Sequence, residues 1–250
     1  MNEVLGIGLQ SMHGDIARLE QIAHNMANMM SPAHKRGLAL QPALVTGFAA
    51  QLARADVAAA PGVQPHAATA VDMRPGTLKA TGRALDVALT GAGFFEVMTD
   101  AGLAYTRRGD FEIDARGRLV TQQGHAVMGV EGEIVMNGSA PVIAADGTVA
   151  NAGAPPGADS AQHLKVVDFD DPSSMTPLGA GLFAPGVGLK PTAGAQVQMR
   201  QGYLENSNVS SADEMTRLLQ VMRHFESMQK MVVGYDDMLG AAIRKLGETQ

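Results

Sequence analysis

Cysteine and tryptophan are both absent from the 250 residues, and aromatic residues make up only 4% of the chain. Without cysteine there is no disulfide framework, thiolate metal site, iron–sulfur cluster or cysteine nucleophile. Charge is sparse too: 18% of residues are charged, and 19 basic against 25 acidic residues leave a formal charge of −6. Such a chain suits a phosphate backbone poorly, because that partner rewards dense Lys and Arg, so no nucleic acid is expected. No apolar run of about 18 residues is present, so no membrane span is expected. The opening Met1-Asn2-Glu3-Val4-Leu5 has no basic leader and no sustained apolar stretch, unlike a Sec-type signal, and taken alone that favours a cytoplasmic protein. The length suits one large or two small domains. The apolar 46% comes largely from Ala and Met, so thin layers or long helices are expected rather than one thick aromatic core.

The two chain ends carry the strongest periodicity. Leu5, Leu9, Met12, Ile16, Leu19, Ala23, Met26 and Met30 follow one another at alternating steps of four and three, a heptad seam. The helix they predict is about 39 Å long at about 1.5 Å per residue. It should stop at Ser31-Pro32, because a proline ring disfavours helical geometry in the residue before it. At the other end, Ser210 or Ser211 suits a helix cap, and Asp213 and Glu214 suit the positive end of a helix dipole. The stripe that follows is Met215, Leu218, Met222, Phe225, Met228, Val232, Tyr235, Leu239, Ala242 and Leu246, with one irregular step at Phe225 to Met228. Gly234 and Gly240 weaken this helix, so it needs a partner. Ten of the 16 Met lie within residues 1–30 and 215–238. Flexible Met suits surfaces that pack against several slightly different neighbours, and apolar residues off the seams (Ile7, Ile22, Met29, Leu219, Met231, Met238) imply partners beyond a two-helix pair.

Between the ends the character changes twice. Residues 31–80 are rich in Ala, Gln, Pro and Gly and read as an extended or partly helical connector. From residue 81 to 209, short apolar runs alternate with turn signals such as Gly91-Ala92-Gly93, Asp100-Ala101-Gly102 and Asp114-Ala115-Arg116-Gly117. That rhythm predicts meandering antiparallel β structure, with strands near 86–89, 94–98, 103–107, 111–113, 119–121, 127–130, 134–136, 164–169 and 196–204. A Pro/Gly stretch from Asn151 to Ala161 interrupts it. The expected fold is α+β: paired, coiled-coil-like terminal helices (1–30 plus 210–250) around a mostly antiparallel β domain (81–209).

Signatures of chemistry are missing. There is no phosphate-binding loop, no H-E-x-x-H and no nucleophile elbow, and Gly91-Ala92-Gly93 lacks the third glycine of a dinucleotide turn. The seven His residues are scattered, with no pair at metal-ligand spacing. Asp168, Asp170 and Asp171 lack the Gly and closing Glu of a calcium loop and read as a polar strand end. No catalytic residue, cofactor or metal is expected.

Three motifs then carry a resemblance. His24-Asn25-Met26-Ala27-Asn28-Met29-Met30-Ser31-Pro32 resembles the N-N-L-A-N-x-x-T-P segment that ends the first helix of flagellar rod, hook and hook–filament junction proteins. Thr81 to Phe95, with Gly82, Leu85, Asp86, Gly91, Gly93, Phe94 and Phe95 in place, resembles their T-G-x-x-L-D-x-A-I-x-G-x-G-F-F strand pair. It is followed by the similar Tyr105-Thr106-Arg107-Arg108-Gly109-Asp110-Phe111. Gly202-Tyr203-Leu204-Glu205-Asn206-Ser207-Asn208-Val209, followed by Glu214-Met215, resembles their approach to the terminal helix. The string Phe225-Glu226-Ser227-Met228-Gln229-Lys230-Met231 looks more like the proximal rod members than the distal ones, and the length argues against the longer hook proteins. Ala33 and His34 stand where the family usually has Gly and an aromatic, which puts the usual turn there in question, since glycine takes positive φ freely and alanine does not.

The resemblance implies an axial structural protein of the basal-body rod, exported by the flagellar type III apparatus without signal cleavage. Its partners would be itself and other rod subunits, polymerised helically into a periplasm-spanning, torque-transmitting shaft. The helix seams would supply the packing residues: Leu5, Leu9, Met12, Ile16, Leu19, Met26 and Met30 at one end, and Met215, Leu218, Met222, Phe225, Met228, Val232 and Leu239 at the other. A distal rod or hook-type protein is the near alternative. A soluble enzyme or ligand-binding β domain with dimerising helices is the remote one, and no polar cluster nominates its pocket.

Overall fold

The computed structural model describes residues 2–39, 69–136, 141–151, 162–186, 192–193 and 197–247. Two compact units divide the chain. One comprises Met1–Met26, Gly37–Ala70 and Ser210–Gln250, and the other Ala27–Arg36 with Val71–Val209.

The first unit holds both long helices, α1 (Asn2–Ala27) and α2 (Ser211–Gly247). Helix α1 stops at Ala27, four residues before the expected Ser31. α2 begins where its cap signals put it: the Asp213 amide donates to Ser210 Oγ at 3.4 Å and the Glu214 amide to Ser210 O at 3.0 Å. The most covered line of α2 is Glu214, Leu218, Val221, Phe225, Met228, Val232 and Tyr235, strictly alternating steps of four and three. The irregular step expected at Phe225 to Met228 is therefore not a feature of the covered face, because Val221 takes the place given to Met222 and Glu214 that given to Met215. On α1, Gly8, Asp15 and Ile22 are buried and Met12, Leu19 and Met26 half-buried, again a heptad line. Leu9, Ile16 and Met30 of the expected seam lie one position round and are exposed. The side chains of Leu5 and Leu239 lie outside the described residues, as do residues 40–68 of the connector and 152–161 of the Pro/Gly stretch.

The second unit is built on a ten-stranded sheet with a main path of seven strands, all antiparallel neighbours. In order these are Thr176–Gly179, Leu182–Ala184, Gly102–Thr106, Phe94–Thr99, Ala126–Gly129, Leu119–Val120 and Glu112–Ile113. Phe94–Thr99 is the axle, pairing also with Val166–Asp168. Strand residues alternate between faces, so its adjacent phenylalanines feed two cores. Phe95 meets Phe111 edge-on at 5.1 Å, within a cluster that includes Val97, Leu119, Val127 and Ile134. Phe94 meets Phe169 and Phe183 at 5.9 and 6.1 Å, and Tyr105 meets Phe169 at 4.9 Å. The few aromatics are thus concentrated in this unit, where they anchor a true core rather than the thin layers expected.

Most expected strands form within a residue or two. Residues 134–136 do not form one: Gly132–Glu133 pairs with Ala126–Gly129, and Val135 makes only an isolated bridge to Arg118. The run expected over 196–204 is two strands, Gln198–Gln201 and Tyr203–Glu205, separated at Gly202, whose φ is +79°. Those strands pair with Val87–Thr90 and Leu78–Ala80. The hairpins Pro141–Ile143/Thr148–Asn151 and Thr176–Gly179/Leu182–Ala184 were not expected.

Candidate functional site

No cleft of convergent catalytic groups emerges among the described residues; the polar side chains that the fold buries are instead gathered in clasps at the family motifs. In the helical unit the first clasp is Asn25, 1% exposed. Its Nδ2 donates to Gly37 O at 2.9 Å while its Oδ1 accepts from the Gly37 amide at 2.9 Å, so one side chain satisfies both backbone groups as a neighbouring strand would. Gln21 Nε2 donates to the same Oδ1 at 3.2 Å, and Asn25 Nδ2 also lies 3.4 Å from the buried Glu214 carboxylate. A Cβ at Gly37 would displace the Gln21 amide and with it the Gln21–Asn25 hydrogen bond.

Ten residues earlier on α1, Asp15 is fully buried and takes Arg18 Nη1 at 3.1 Å; its Oδ2 lies 2.5 Å from His224 Nδ1. One helical stretch earlier still, a Cβ built on Gly8 would sit 3.7 Å from Val232 Cγ2, an ordinary contact.

The second unit has its own clasp. Glu205, 3% exposed, accepts from Lys35 Nζ at 2.6 Å, the Gly76 amide at 2.9 Å and Arg107 Nε at 3.1 Å. Arg107 also donates to Gly93 O at 2.6 Å and Gly91 O at 2.7 Å, and Lys35 to Arg74 O at 2.9 Å. Burial, partly offset by Glu205, pushes the Lys35 ammonium below the usual lysine range. Asn208 accepts from the Arg36 amide at 2.7 Å and donates to Asp72 O at 2.8 Å and Arg74 O at 2.9 Å. The polar side chains of these motifs are thus hydrogen-bonding fasteners.

The remaining motif residues have comparable roles. Asn28 O accepts from the Ser31 amide at 3.0 Å and its Oδ1 from Ser31 Oγ at 3.2 Å, and Ser31 O accepts from the His34 amide at 3.3 Å across the next turn, which includes Pro32. Ala33 completes it at φ +53°, so the turn forms with alanine in the left-handed region after all. Gly82 and Gly202 meet through the Gly82 amide and Gly202 O at 3.1 Å. Gly91 and Gly93 have φ of +113° and +125°, and a Cβ on Gly93 would crowd Val166 at 2.8 Å. Leu85 packs on the larger core. Asp86, buried, has Arg83 Nε at 3.5 Å, and its carbonyl accepts from the Gly202 amide at 2.7 Å. Leu204 pairs with Lys79 across the strands, Ser207 Oγ accepts from the Val209 amide at 3.2 Å, and Val209 is half-buried. Asp171 caps the 3-10 turn Pro172–Ser174.

Lys35, Arg107, Glu205, Asp15 and His224 had no expected role. Glu205 and Arg107 stood inside quoted motifs. Asp15 was the one signal open to reading: a charge seven residues from Gly8 and Ile22 on an otherwise apolar heptad line.

Two long helices, an antiparallel β unit and buried polar clasps at motif residues make up the described α+β architecture. Residues 88–151 match the family described as the flagellar hook protein FlgE/F/G D1 domain, and residues 200–245 the flagellar basal body rod FlgEFG protein C-terminal. The FlgF rod protein of Escherichia coli is 36% identical over 187 residues, covering 68% of this chain and 72% of that protein. The FlgG rod protein of Agrobacterium fabrum is 30% identical over 267, covering 97% and 98%. The FlgG rod protein of Bacillus subtilis is 30% identical over 171 residues, covering 64% of this chain and 65% of that protein. The chain belongs to the flagellar basal-body rod proteins of the FlgF/FlgG type. That family is structural and is not a known enzyme family. No described helix is long and apolar enough to cross a membrane.

Proposed function

We propose that this chain is a structural subunit of the basal-body rod, of the proximal type, whose α1 and α2 pair with each other and offer their remaining apolar rows to neighbouring subunits. The observation that carries it is the outward face of the helices in a rod-family chain. Leu9 and Ile16 on α1, and Met215, Leu219, Met222, Met231 and Met238 on α2, are each between 45% and 65% exposed. Apolar residues exposed to that extent, interspersed with exposed charges such as Glu226 and Lys230, support surfaces that other chains cover. Contacts between unlike patches that do not close a ring generate a helical polymer, which suits a shaft.

The clasps support the same reading. They hold buried polar side chains in hydrogen bonds within each unit, which suits a part that carries torque. The chain acts without catalysis or cofactor, leaves the cell interior through the flagellar type III apparatus and resides in the rod across the periplasm. The string from Phe225 to Met231 favours the proximal over the distal type. Truncating the chain before residue 211 tests the reading in cells lacking the full-length gene. Loss of incorporation into basal bodies and of motility is expected; a truncated chain that still enters the rod overturns it.

A further inference from the structure

We propose that Met215, Met222, Met231 and Met238 on α2 are sites of oxidation to methionine sulfoxide, and that their oxidation makes the outward face of this helix polar, and so unfit for assembly, without unfolding the chain. The consequence for assembly rests on the reading above, in which neighbouring subunits cover this face.

The four side chains are between 46% and 65% exposed, whereas Met136, Met175 and Met199 in the cores of the β unit are 3–5% exposed. Met215 and Met222 each follow a residue of the covered line of α2, Glu214 and Val221; Met231 precedes Val232, and Met238 stands seven residues further on. Met222 and Met231 are nine positions apart, about two and a half turns at about 3.6 residues per turn, so the two pairs lie on opposite flanks of that line. Both flanks therefore carry sulfur. Helix α1 differs: its exposed large apolar side chains, among the described residues, are Leu9 and Ile16, which carry none. Within the covered line of α2 only Met228 is a methionine, and it is half-buried, so the packing that keeps the helix in place is mostly beyond an oxidant's reach.

Thioether oxidation follows exposure. The sulfur lone pair attacks one oxygen of hydrogen peroxide, the S–O bond forms as the O–O bond breaks, and the departing hydroxide takes the proton of the attacked oxygen to leave as water. Sulfur is oxidised by two electrons and the peroxide is reduced. The product exchanges a flexible apolar side chain for a polar one whose oxygen accepts hydrogen bonds. In the free subunit water supplies the donor. Beneath an apolar surface of a neighbour nothing does, and burying an unpaired polar group is costly.

The full chain treated with hydrogen peroxide, with each methionine followed by mass spectrometry of its peptides, tests the assignment. Met30, 81% exposed, is the standard for open access. The four α2 sites should oxidise within about threefold of Met30 and at least about tenfold faster than Met136, Met175 and Met199, with the circular dichroism spectrum unchanged. Because the chain has no cysteine, methionine sulfoxide reductases with dithiothreitol should reverse the change without altering any other bond. Rates at the four sites no faster than in the cores, or loss of helix as they oxidise, overturn the assignment. In cells lacking the gene, the chain Met215→Gln/Met222→Gln/Met231→Gln/Met238→Gln carries a lasting polar substitute for the sulfoxides. It should keep its helix content when purified and enter basal bodies at least about tenfold less than the native chain. Entry at the native level, or loss of its fold, overturns the effect on assembly. If this chain enters the rod and the chain truncated before residue 211 does not, the oxidation switch falls and the reading of a rod subunit stands; if both enter, that reading falls.

Discussion

Asn25 and Gly37 hold each other by both hydrogen-bonding groups of the amide side chain, each at 2.9 Å. A single asparagine on a helix thereby does the work of a strand edge. Asn25→Ala leaves the buried amide and carbonyl of Gly37 unsatisfied, at roughly 1–3 kcal/mol for each such group. A loss of about 2 kcal/mol or more is expected in denaturant unfolding of the full chain followed by far-ultraviolet circular dichroism. An unchanged midpoint would show that water replaces the clasp.

Glu205 bridges two buried cations, Lys35 and Arg107. Removing one member of such a cluster strands the others, at about 3–5 kcal/mol. Glu205→Ala should therefore be among the most destabilising single changes in the β unit. Adding Lys35→Met should recover part of the loss, since it removes one stranded charge. A Glu205→Ala chain that melts with the native protein would contradict the role assigned here.

Two alanines adopt positive φ, Ala33 at +53° and Ala180 at +52°. The left-handed conformation costs about 1–2 kcal/mol, and glycine returns about 0.4–1 kcal/mol of that through its freer unfolded chain. Ala180 is exposed between two glycines, so Ala180→Gly should raise stability by about 0.5 kcal/mol. Ala33 is 1% exposed, and losing its buried methyl costs about 0.8 kcal/mol, so Ala33→Gly should be near neutral. Thermal melts of both variants decide the matter, and the reverse order would mean that strain at Ala33 outweighs its burial.

The Arg118 amide, the Arg118 guanidinium and the Arg116 amide hold the Asp114 carboxyl below its ordinary value of 3.8. A carboxyl with a depressed folded pKa contributes stability that is complete above its unfolded value and fades as pH falls through the folded one. The contribution of Asp114 is therefore present above about pH 4 and lost in stronger acid. Asp114→Asn should lower stability at neutral pH and leave the strongly acid end little changed, so that the acid limb of the stability–pH curve flattens. A variant with the native acid limb would place the dependence elsewhere, with Asp72 and Asp146 as the other depressed carboxyls.

Much of this fold was legible because local pattern and final environment agree. Hairpin turns need positive φ, and the glycines at 91, 93, 102 and 202 announce them; the cap at Ser210 follows from the same local chemistry. The helices were legible in extent but not in facing. Hydrophobicity ranks Met222 above Val221 and Ile16 above Asp15, yet Val221 and Asp15 are the covered residues. Burial of Asp15 depends on His224, about two hundred positions away, which no period along one segment reveals. The clasps were hidden for a similar reason: Lys35, Arg107 and Glu205 are unremarkable singly, and only strand pairing brings them within 3.1 Å. The aromatics misled through their scarcity, because composition counts them but does not show that seven gather in one unit.

The central claim is that this chain is an axial subunit of the rod, and imaging of isolated basal bodies tests it most directly. An epitope placed in the exposed Asp100-Ala101 turn should label the rod between the membrane rings, and deletion of the gene should leave rings without a complete rod. Complete rods in the deletion strain, with no label along the axis in the tagged one, would contradict the account.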